Sequence, residues 1–177
     1  MSMFDTVVIG TVLLAAISLI VVQLRTGVPA MPSSRAERNA ATILLARAGL
    51  ARNARVYELG CGWGGFAVAL AKALPDQRII GVELSPLPYL VSRLRALWVP
   101  NLSVRWGNFL ALDLSAADAV ACYLMIAPMP TLAAKLDREL RPGTLVCTVM
   151  FWFRDRTPVL TTQLPGTAVA LYEWRQS

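Results

Sequence analysis

The sequence predicts an α/β fold in which helices cover both faces of a largely parallel sheet, with an apolar helix ahead of it. Three observations support this prediction. Short apolar runs alternate with helical segments between residues 55 and 151, a glycine-rich turn joins the first run to a helix, and residues 6–24 carry no formal charge. Strands that alternate with helices are typical of parallel sheets that are buried on both faces.

Length and composition limit what this chain can be. With 177 residues it can form one compact domain and a short appendage. A hydrophobic fraction of 56% and a mean hydropathy of +0.54 are high for a purely soluble domain, which indicates a membrane contribution. The chain has no histidine, which excludes Ser-His-Asp and Cys-His catalysis and removes the usual nitrogen ligand of zinc. We therefore expect no metal site.

The charge and the cysteines give weaker constraints. A net charge of +6 fits a nucleic-acid partner, an anionic membrane or simply an arginine-rich solvated surface. No run of basic residues is interleaved with aromatic ones, so charge alone does not decide among these. Cys61, Cys122 and Cys147 are scattered and odd in number, which predicts reduced, structural thiols in a cytosolic compartment.

The amino-terminal apolar run, residues 6–24, predicts a membrane-spanning helix. Its length as a helix is about 28 Å, close to the hydrocarbon thickness of a bilayer. A signal peptide is an alternative, but only Asp5 precedes the run where a signal peptide needs positive charge. A buried core helix is the other alternative. Arg25, Arg35 and Arg38 follow the run, so the positive-inside rule predicts a single-pass protein whose main domain faces the cytoplasm.

The predicted organisation therefore has three parts, namely an anchor over residues 1–27, a linker and leading helix over 28–54, and the main domain over 55–177. Pro29 and Pro32 cannot continue the first helix and indicate a stiff linker. Ser34 and Glu37 have the spacing of a capping box, which predicts the start of a helix that runs towards Gly49.

The main domain is expected to alternate strands with helices. The predicted strands lie at 55–59, 78–83, 102–106, 117–123 and 144–151, and the predicted helices at 66–74, 86–98 and 131–140. The tail differs, because runs at 158–162 and 167–174 flank Leu164–Gly166. This pattern predicts a terminal hairpin and not another strand–helix–strand unit.

The glycine-rich turn predicts a ligand site. Glycines at 60, 62 and 64 let the backbone approach a ligand closely, and the helix that follows offers free amide donors. Gly60, Gly62 and Gly65 also fit the dinucleotide pattern, so nicotinamide and flavin cofactors are alternatives. Glu58 favours another ligand, because a carboxylate there would repel a pyrophosphate but attract the ammonium and sulfonium groups of S-adenosylmethionine.

A second acidic residue supports a nucleoside-containing cofactor. Glu83 ends the second predicted strand, where a carboxylate in such sheets accepts hydrogen bonds from both ribose hydroxyls. The alternative is an exposed glutamate at the end of a strand. The residues that we predict to bind the cofactor are Glu58, Gly60, Cys61, Gly62, Gly64, Glu83 and Asn108.

With these motifs in place, the chain resembles the class I S-adenosylmethionine-dependent methyltransferases. Further segments make it similar to the membrane-anchored protein-lysine methyltransferases whose mitochondrial members modify the adenine nucleotide translocase and ATP synthase subunit c. These segments are Val28–Ser34, Gly81–Pro86, Leu90–Arg93, Asp118–Val120, Leu136–Leu140 and Phe151–Phe153.

The resemblance implies a Rossmann-like sheet of seven strands with the last one antiparallel. It also implies that Glu58, Gly60, Gly62 and Glu83 bind the cofactor. Where the family tends to have an aspartate after the third strand, this chain has Asn108, which would meet the adenine amino group through an uncharged carbonyl oxygen. Alternatively, Gly107 and Asn108 only form a turn.

The resemblance further implies a lysine acceptor, which must be neutral to react and so needs an apolar mouth. The candidate substrate-pocket residues follow the fourth and fifth strands and are Tyr123, Met125, Pro128 and Trp152. An aromatic ring there would hold an amine by cation–π attraction. No catalytic base is identified. We therefore predict a protein-lysine N-methyltransferase that acts on a membrane or membrane-associated protein. An RNA or small-molecule methyltransferase and a non-catalytic membrane-anchored scaffold are the alternatives, and nucleic acid is not an expected partner.

Overall fold

A computed structural model of the protein describes residues 2–26 and 32–175. Within these ranges one sheet is combined with five helices. The strands are β1 (Arg55–Leu59), β2 (Arg78–Glu83), β3 (Leu102–Trp106), β4 (Ala119–Cys122), β5 (Leu145–Val149), β6 (Leu160–Leu164) and β7 (Thr167–Glu173). The helices are α1 (Met3–Thr26), α2 (Arg35–Arg47), α3 (Gly65–Ala73), α4 (Pro86–Ala96) and α5 (Met129–Glu139).

The sheet has seven strands in the order β3-β2-β1-β4-β5-β7-β6. Neighbouring strands from β3 through β5 pair in parallel, whereas β7 pairs antiparallel with both β5 and β6. The predicted α/β fold, the antiparallel last strand and the terminal hairpin are therefore confirmed. Because the order changes direction at β1 and β4, the carboxyl ends of these two strands border a crevice, the usual ligand position in such sheets.

Two hydrophobic clusters cover the two faces of the sheet. Successive residues of β1 alternate between them, so Val56 joins the cluster with α2 and α3, and Tyr57 joins the cluster with α5. The central strands are buried on both faces, which explains why they appear in the sequence as continuous apolar runs. This double burial fixes the ends of β1, β2 and β4.

The start of α2 has the predicted capping box. The Ser34 hydroxyl accepts a hydrogen bond from the Glu37 amide at 3.1 Å, and the Glu37 carboxylate accepts one from the Ser34 amide at 2.6 Å. Two amides at the helix start are thereby satisfied. The helix contacts α3, β5, β6 and β7, so it lies across the sheet beside the glycine-rich turn.

The amino-terminal segment forms the expected helix, α1, and many of its large apolar side chains are exposed. Across residues 2–26 and 32–175, no helix combines the length and the hydropathy required to cross a membrane. The prediction of a transmembrane anchor is therefore not supported. It relied on a run without formal charge, and such a run predicts a helix more securely than it predicts a span. Residues 27–31, which contain most of the predicted linker, lie outside the described residues.

Candidate active site

The turn between β1 and α3 is built from glycines with left-handed backbone. Gly60, Gly62 and Gly64 have φ values of 72°, 53° and 77°, which side-chain-bearing residues rarely adopt. Space is also short at two of them, because a Cβ on Gly64 would lie 2.7 Å from the Ser92 Cβ and a Cβ on Gly60 would lie 2.9 Å from the Leu124 Cδ2. The chain therefore needs glycine here both for conformation and for packing against α4.

Glu58, near the end of β1, lies beneath this turn and is 2% exposed. Burial and the nearby Glu83 carboxylate raise the pKa of Glu58 well above its ordinary value, and the Arg38 guanidinium partly opposes them. In residues 2–26 and 32–175, its Oε2 atom has no hydrogen-bond partner. Buried oxygens of this kind are nearly always satisfied. The arrangement therefore suits a cationic ligand group that donates a hydrogen bond to Glu58.

Glu83, the last residue of β2, supports the turn directly. One carboxylate oxygen accepts a hydrogen bond from the Gly62 amide at 2.7 Å, and the other accepts one from the Ser85 amide, also at 2.7 Å. Each oxygen keeps a second lone pair that can accept a hydrogen bond from a hydroxyl group. The geometry is therefore compatible with the predicted contact to ribose, and it adds a second role in shaping the turn.

A cavity of about 360 Å³ opens beside Glu58. Arg38 of α2 and Arg95 of α4 approach the start of α3, where their Nη1 atoms lie 3.4 Å and 3.9 Å from the position of a Cβ on Gly65. Two guanidinium groups at a helix amino terminus favour an anion. The lining residues are Pro32, Ser33, Arg38, Glu58, Gly60, Cys61, Gly62, Trp63, Gly65, Phe66, Arg95 and Tyr123.

The two arginines in this lining were missed as ligand-binding residues. The positive-inside rule uses Arg38 only to predict topology, and no sequence motif points to Arg95. Nothing in the local sequence separates them from the other arginines, because their approach to Gly65 depends on how α2 and α4 pack against the sheet. The Pro32–Ser33 part of the lining does belong to a segment on which the family resemblance rests.

The cysteines are free and buried, as expected for structural thiols. Cys61 lines the cavity, and its amide donates a hydrogen bond to the Val82 carbonyl at 3.0 Å. Burial and the Glu58 charge raise its pKa, and the same two causes raise the pKa of Cys122 to about 12. These thiols therefore stay protonated at neutral pH and are poor nucleophiles.

Asn108 is exposed and does not line the cavity. Its side-chain oxygen accepts a hydrogen bond from the Leu110 amide at 2.9 Å, and its backbone carbonyl accepts one from the Ala111 amide at 3.0 Å. These contacts are those of an Asx turn. The structure therefore favours the turn interpretation of Gly107–Asn108, and the predicted contact to adenine stays a prediction.

The structure does not bring the four predicted substrate residues together. Tyr123, which directly follows β4, lines the cavity beside Glu58. Met125 and Pro128 line neither this cavity nor a second one of about 540 Å³, which contains Trp152. Tyr123 packs against the cluster with α2 and α3, whereas Trp152 packs against the cluster with α5. Of the four residues, Tyr123 has the position best suited to an acceptor.

Comparison with known proteins is consistent with this geometry. Residues 58–160 match the family described as the ANTKMT methyltransferase domain. A protein-lysine N-methyltransferase of Saccharolobus islandicus is 32% identical over 106 residues, which cover 58% of this chain and 66% of that protein. The trans-aconitate 2-methyltransferase of an Azoarcus species is 36% identical over 115 residues, which cover 63% of this chain and 44% of that protein. The matches thus span two thirds or less of these relatives.

Among solved structures, an RNA methyltransferase from Salinibacter ruber in complex with S-adenosylhomocysteine superposes with a TM-score of 0.70. The match covers 80% of this chain and 92% of that one at 24% identity, so it shows a common fold. The family match includes both Glu58 and Glu83 and extends to the start of β6. The chain belongs to the ANTKMT methyltransferase domain family and is an S-adenosylmethionine-dependent methyltransferase.

Proposed function

We propose that the protein is a protein-lysine N-methyltransferase whose substrate is a membrane or membrane-associated protein. The observation that carries this proposal is the position of Tyr123, a half-buried aromatic residue at the end of β4. It lines one cavity with Glu58, whose Oε2 has no hydrogen-bond partner among the described residues. Support also comes from the family match and from the relative that is named a protein-lysine N-methyltransferase.

The cavity has the charges that the amino-acid end of S-adenosylmethionine requires. In this proposal the buried Glu58 accepts hydrogen bonds from the cofactor ammonium, whose charge offsets that of the carboxylate. Arg38 and Arg95, together with free amides at the start of α3, bind the cofactor carboxylate. Glu83 accepts hydrogen bonds from the ribose hydroxyls as well as from the Gly62 amide. Opposite charges at two sides of one cavity thus select a zwitterionic ligand.

The cofactor, when bound, supplies a methyl group that its positive sulfur already activates. The protein must then position a neutral amine in line with that carbon. Burial, and secondarily the Glu37 charge, raise the pKa of Tyr123, so its hydroxyl stays protonated and can orient the amine nitrogen. Desolvation at the mouth of the cavity lowers the pKa of the arriving lysine. The chain has no histidine, and in this proposal the proton that the amine releases passes to water.

The membrane part of the proposal rests on α1. Its large side chains Phe4, Val12, Leu13 and Leu24 are exposed, and exposure of so much apolar surface to water is unfavourable. We propose that α1 holds the protein at a lipid bilayer with the methyltransferase domain on the cytoplasmic side. Reduced, buried cysteines and the need for S-adenosylmethionine favour that side.

The proposed function is tested by incubating the full chain with methyl-labelled S-adenosylmethionine and a membrane extract. We expect label in a protein band, and we expect hydrolysis of that band to release labelled methyl-lysine. Label in RNA or in a small molecule would instead support one of the alternative substrates. Cofactor binding without any transfer would support a non-catalytic scaffold. The Glu58→Gln variant should transfer far less label, and Glu173→Gln, which removes an exposed carboxylate at the end of β7, is its matched control.

A further inference from the structure

The segment from residue 84 to residue 112, which contains α4 and β3, has an unusual charge pattern. It includes Arg93, Arg95 and Arg105 but no aspartate or glutamate. All three arginines are exposed, and none forms an ion pair within the described part of the chain. This side of the domain therefore has a positive potential that its own carboxylates do not neutralise.

The outer face of α4 is apolar although it lies on the surface. Leu90, Leu94 and Leu97 are spaced four and three residues apart, so they form one stripe along the helix, and all three are exposed. The opposite face contains the buried Pro88 and Ser92 and packs against the sheet. The stripe of leucines therefore lies on the exposed side of α4 and not on the side that packs against the sheet.

Two tryptophans extend this stripe. Trp98, just after α4, is 77% exposed, and Trp106, at the end of the edge strand β3, is 64% exposed. Two contacts hold Trp106 in place. Its Nε1 donates a hydrogen bond to the Leu84 carbonyl at 2.9 Å, and its ring stacks on the Tyr89 ring with 6.3 Å between the two ring centroids. Exposed tryptophans beside basic residues are characteristic of the interface between a membrane and water.

The same side of the domain meets the apolar amino-terminal helix, because α1 contacts α4. The exposed apolar residues of α1 include Val7, Val12, Ile17 and Leu24, which point in different directions around the helix axis. A groove in a partner protein would cover one stripe of such a helix, whereas fluid lipid can contact side chains that point in several directions. The leucine stripe of α4 therefore continues a surface for which lipid is the fitting occupant.

We infer that the outer face of α4, with Trp98 and Trp106, docks on an anionic lipid bilayer. Leucines and tryptophans enter the interfacial region, and Arg93 and Arg105 pair with lipid phosphates and carboxylates. This inference deepens the proposed membrane association by adding a contact made by the methyltransferase domain itself. It also orients the site, because α4 begins three residues after Glu83 and so lies beside the cofactor cavity.

A nucleic acid is the competing occupant of a basic, aromatic surface. Single-stranded nucleic acid is held by aromatic rings for stacking and by a basic groove along the backbone. Here Trp98 and Trp106 offer stacking surfaces, but the exposed leucines Leu90, Leu94 and Leu97 do not. The aliphatic stripe and the contact with α1 favour lipid, and binding of RNA is an outcome that the experiment distinguishes.

The test measures tryptophan fluorescence of the full chain on vesicles whose phosphatidylcholine and phosphatidylserine have brominated acyl chains, which quench nearby indoles. Because α1 contains no tryptophan, the signal reports on the domain and not on that helix. We expect strong quenching of the unmodified protein and loss of most of it in the Trp98→Phe, Trp106→Phe double variant. The matched control is Trp152→Phe, which lies on the α5 face and should leave the quenching unchanged.

The charge contribution is tested with Arg105→Gln, which should weaken partitioning into phosphatidylserine-containing vesicles about five-fold and leave binding to pure phosphatidylcholine unchanged. Vesicles that bind the protein without quenching Trp98 and Trp106 would show contact through α1 alone and overturn the inference. Quenching of these tryptophans by transfer RNA but not by brominated vesicles would also overturn it. Neither result would bear on methyl transfer, which is measured separately with labelled cofactor.

Discussion

The Glu58→Gln substitution examines the electrostatic basis of cofactor binding most closely. The glutamine keeps the size of the side chain but removes a charge that is almost entirely buried. In the wild-type protein the Glu58 carboxylate lies near Glu83, and its Oε2 has no hydrogen-bond partner in the described part of the chain. Burial of its charge is therefore unfavourable until a cationic group pairs with it. The substitution should therefore weaken cofactor binding and relieve the free protein of a buried charge.

The magnitude follows from the hydrogen bond that is lost. A hydrogen bond to a charged group contributes about 1.5–3 kcal/mol. Since about 1.4 kcal/mol corresponds to a tenfold change, Glu58→Gln should raise the Kd for S-adenosylhomocysteine about 10- to 150-fold. S-adenosylhomocysteine is a suitable ligand because it retains the ammonium and carboxylate groups but has no methyl group to transfer.

The pH dependence has a defined sign. Because the pKa of Glu58 in the folded protein is raised above its ordinary value of 4.5, the folded state holds the proton more tightly than the unfolded state. Stability of the free protein is therefore lost as pH rises from about 4.5 through the raised pKa, and the glutamine variant lacks this loss. Its melting temperature at neutral pH should equal or exceed that of the wild type. Cofactor affinity should rise with pH in the wild type, where binding requires the ionised carboxylate, but much less in the variant.

Calorimetric titration at several pH values measures the affinity, and thermal unfolding without ligand measures the stability. The control is Glu173→Gln, which changes the net charge equally at an exposed position and should alter neither quantity. A folded Glu58→Gln variant that binds S-adenosylhomocysteine as tightly as the wild type would refute the assignment of Glu58 to the cofactor ammonium.

Three further predictions concern packing, a buried ion pair and the acceptor. Gly64→Ala should destabilise the protein by about 1–3 kcal/mol more than Gly143→Ala in denaturant unfolding, because both glycines have positive φ but a Cβ on Gly64 alone meets a neighbour within 4 Å. Lys135→Met should cost about 2–3 kcal/mol of unfolding free energy, since it leaves the Glu139 carboxylate, 2.6 Å away and still partly solvated, without its cation. Tyr123→Ala should lower kcat for methyl transfer and leave the calorimetric Kd for S-adenosylhomocysteine within about threefold of the wild type, and a large loss of cofactor affinity would contradict its role beside the acceptor.

Most of the fold could be predicted from local pattern. The strands β1, β2 and β3 have the predicted bounds, because their apolar runs are bordered by polar residues, proline or glycine. The Ser34–Glu37 capping box fixes the start of α2 with side chains that lie close in sequence. The helix α5 begins at Met129, two residues earlier than predicted, since Pro130 is accepted in its first turn.

The site was predictable only where one turn contains it. Glu58 and the glycines are adjacent in the chain, and Glu83 follows at the end of the next strand, so pattern alone placed them together. Arg38 and Arg95 reach the cavity from two separate helices, and Trp152 lies on the other face of the sheet from Tyr123. Such positions depend on the packing of distant elements, which local periodicity does not encode. Hydropathy likewise predicted that α1 is a helix, but it did not determine whether lipid, protein or water surrounds that helix.

The central claim, transfer of a methyl group from S-adenosylmethionine to protein lysine, is tested most directly by mass spectrometry of membrane proteins. Cells that lack the gene would be complemented with the wild type or with Glu83→Ala, which removes the carboxylate that holds the Gly62 amide. We expect at least one lysine that is methylated with the wild type and unmethylated with the variant. Identical methyl-lysine profiles in the two strains, with both proteins folded and present in equal amounts, would contradict the claim.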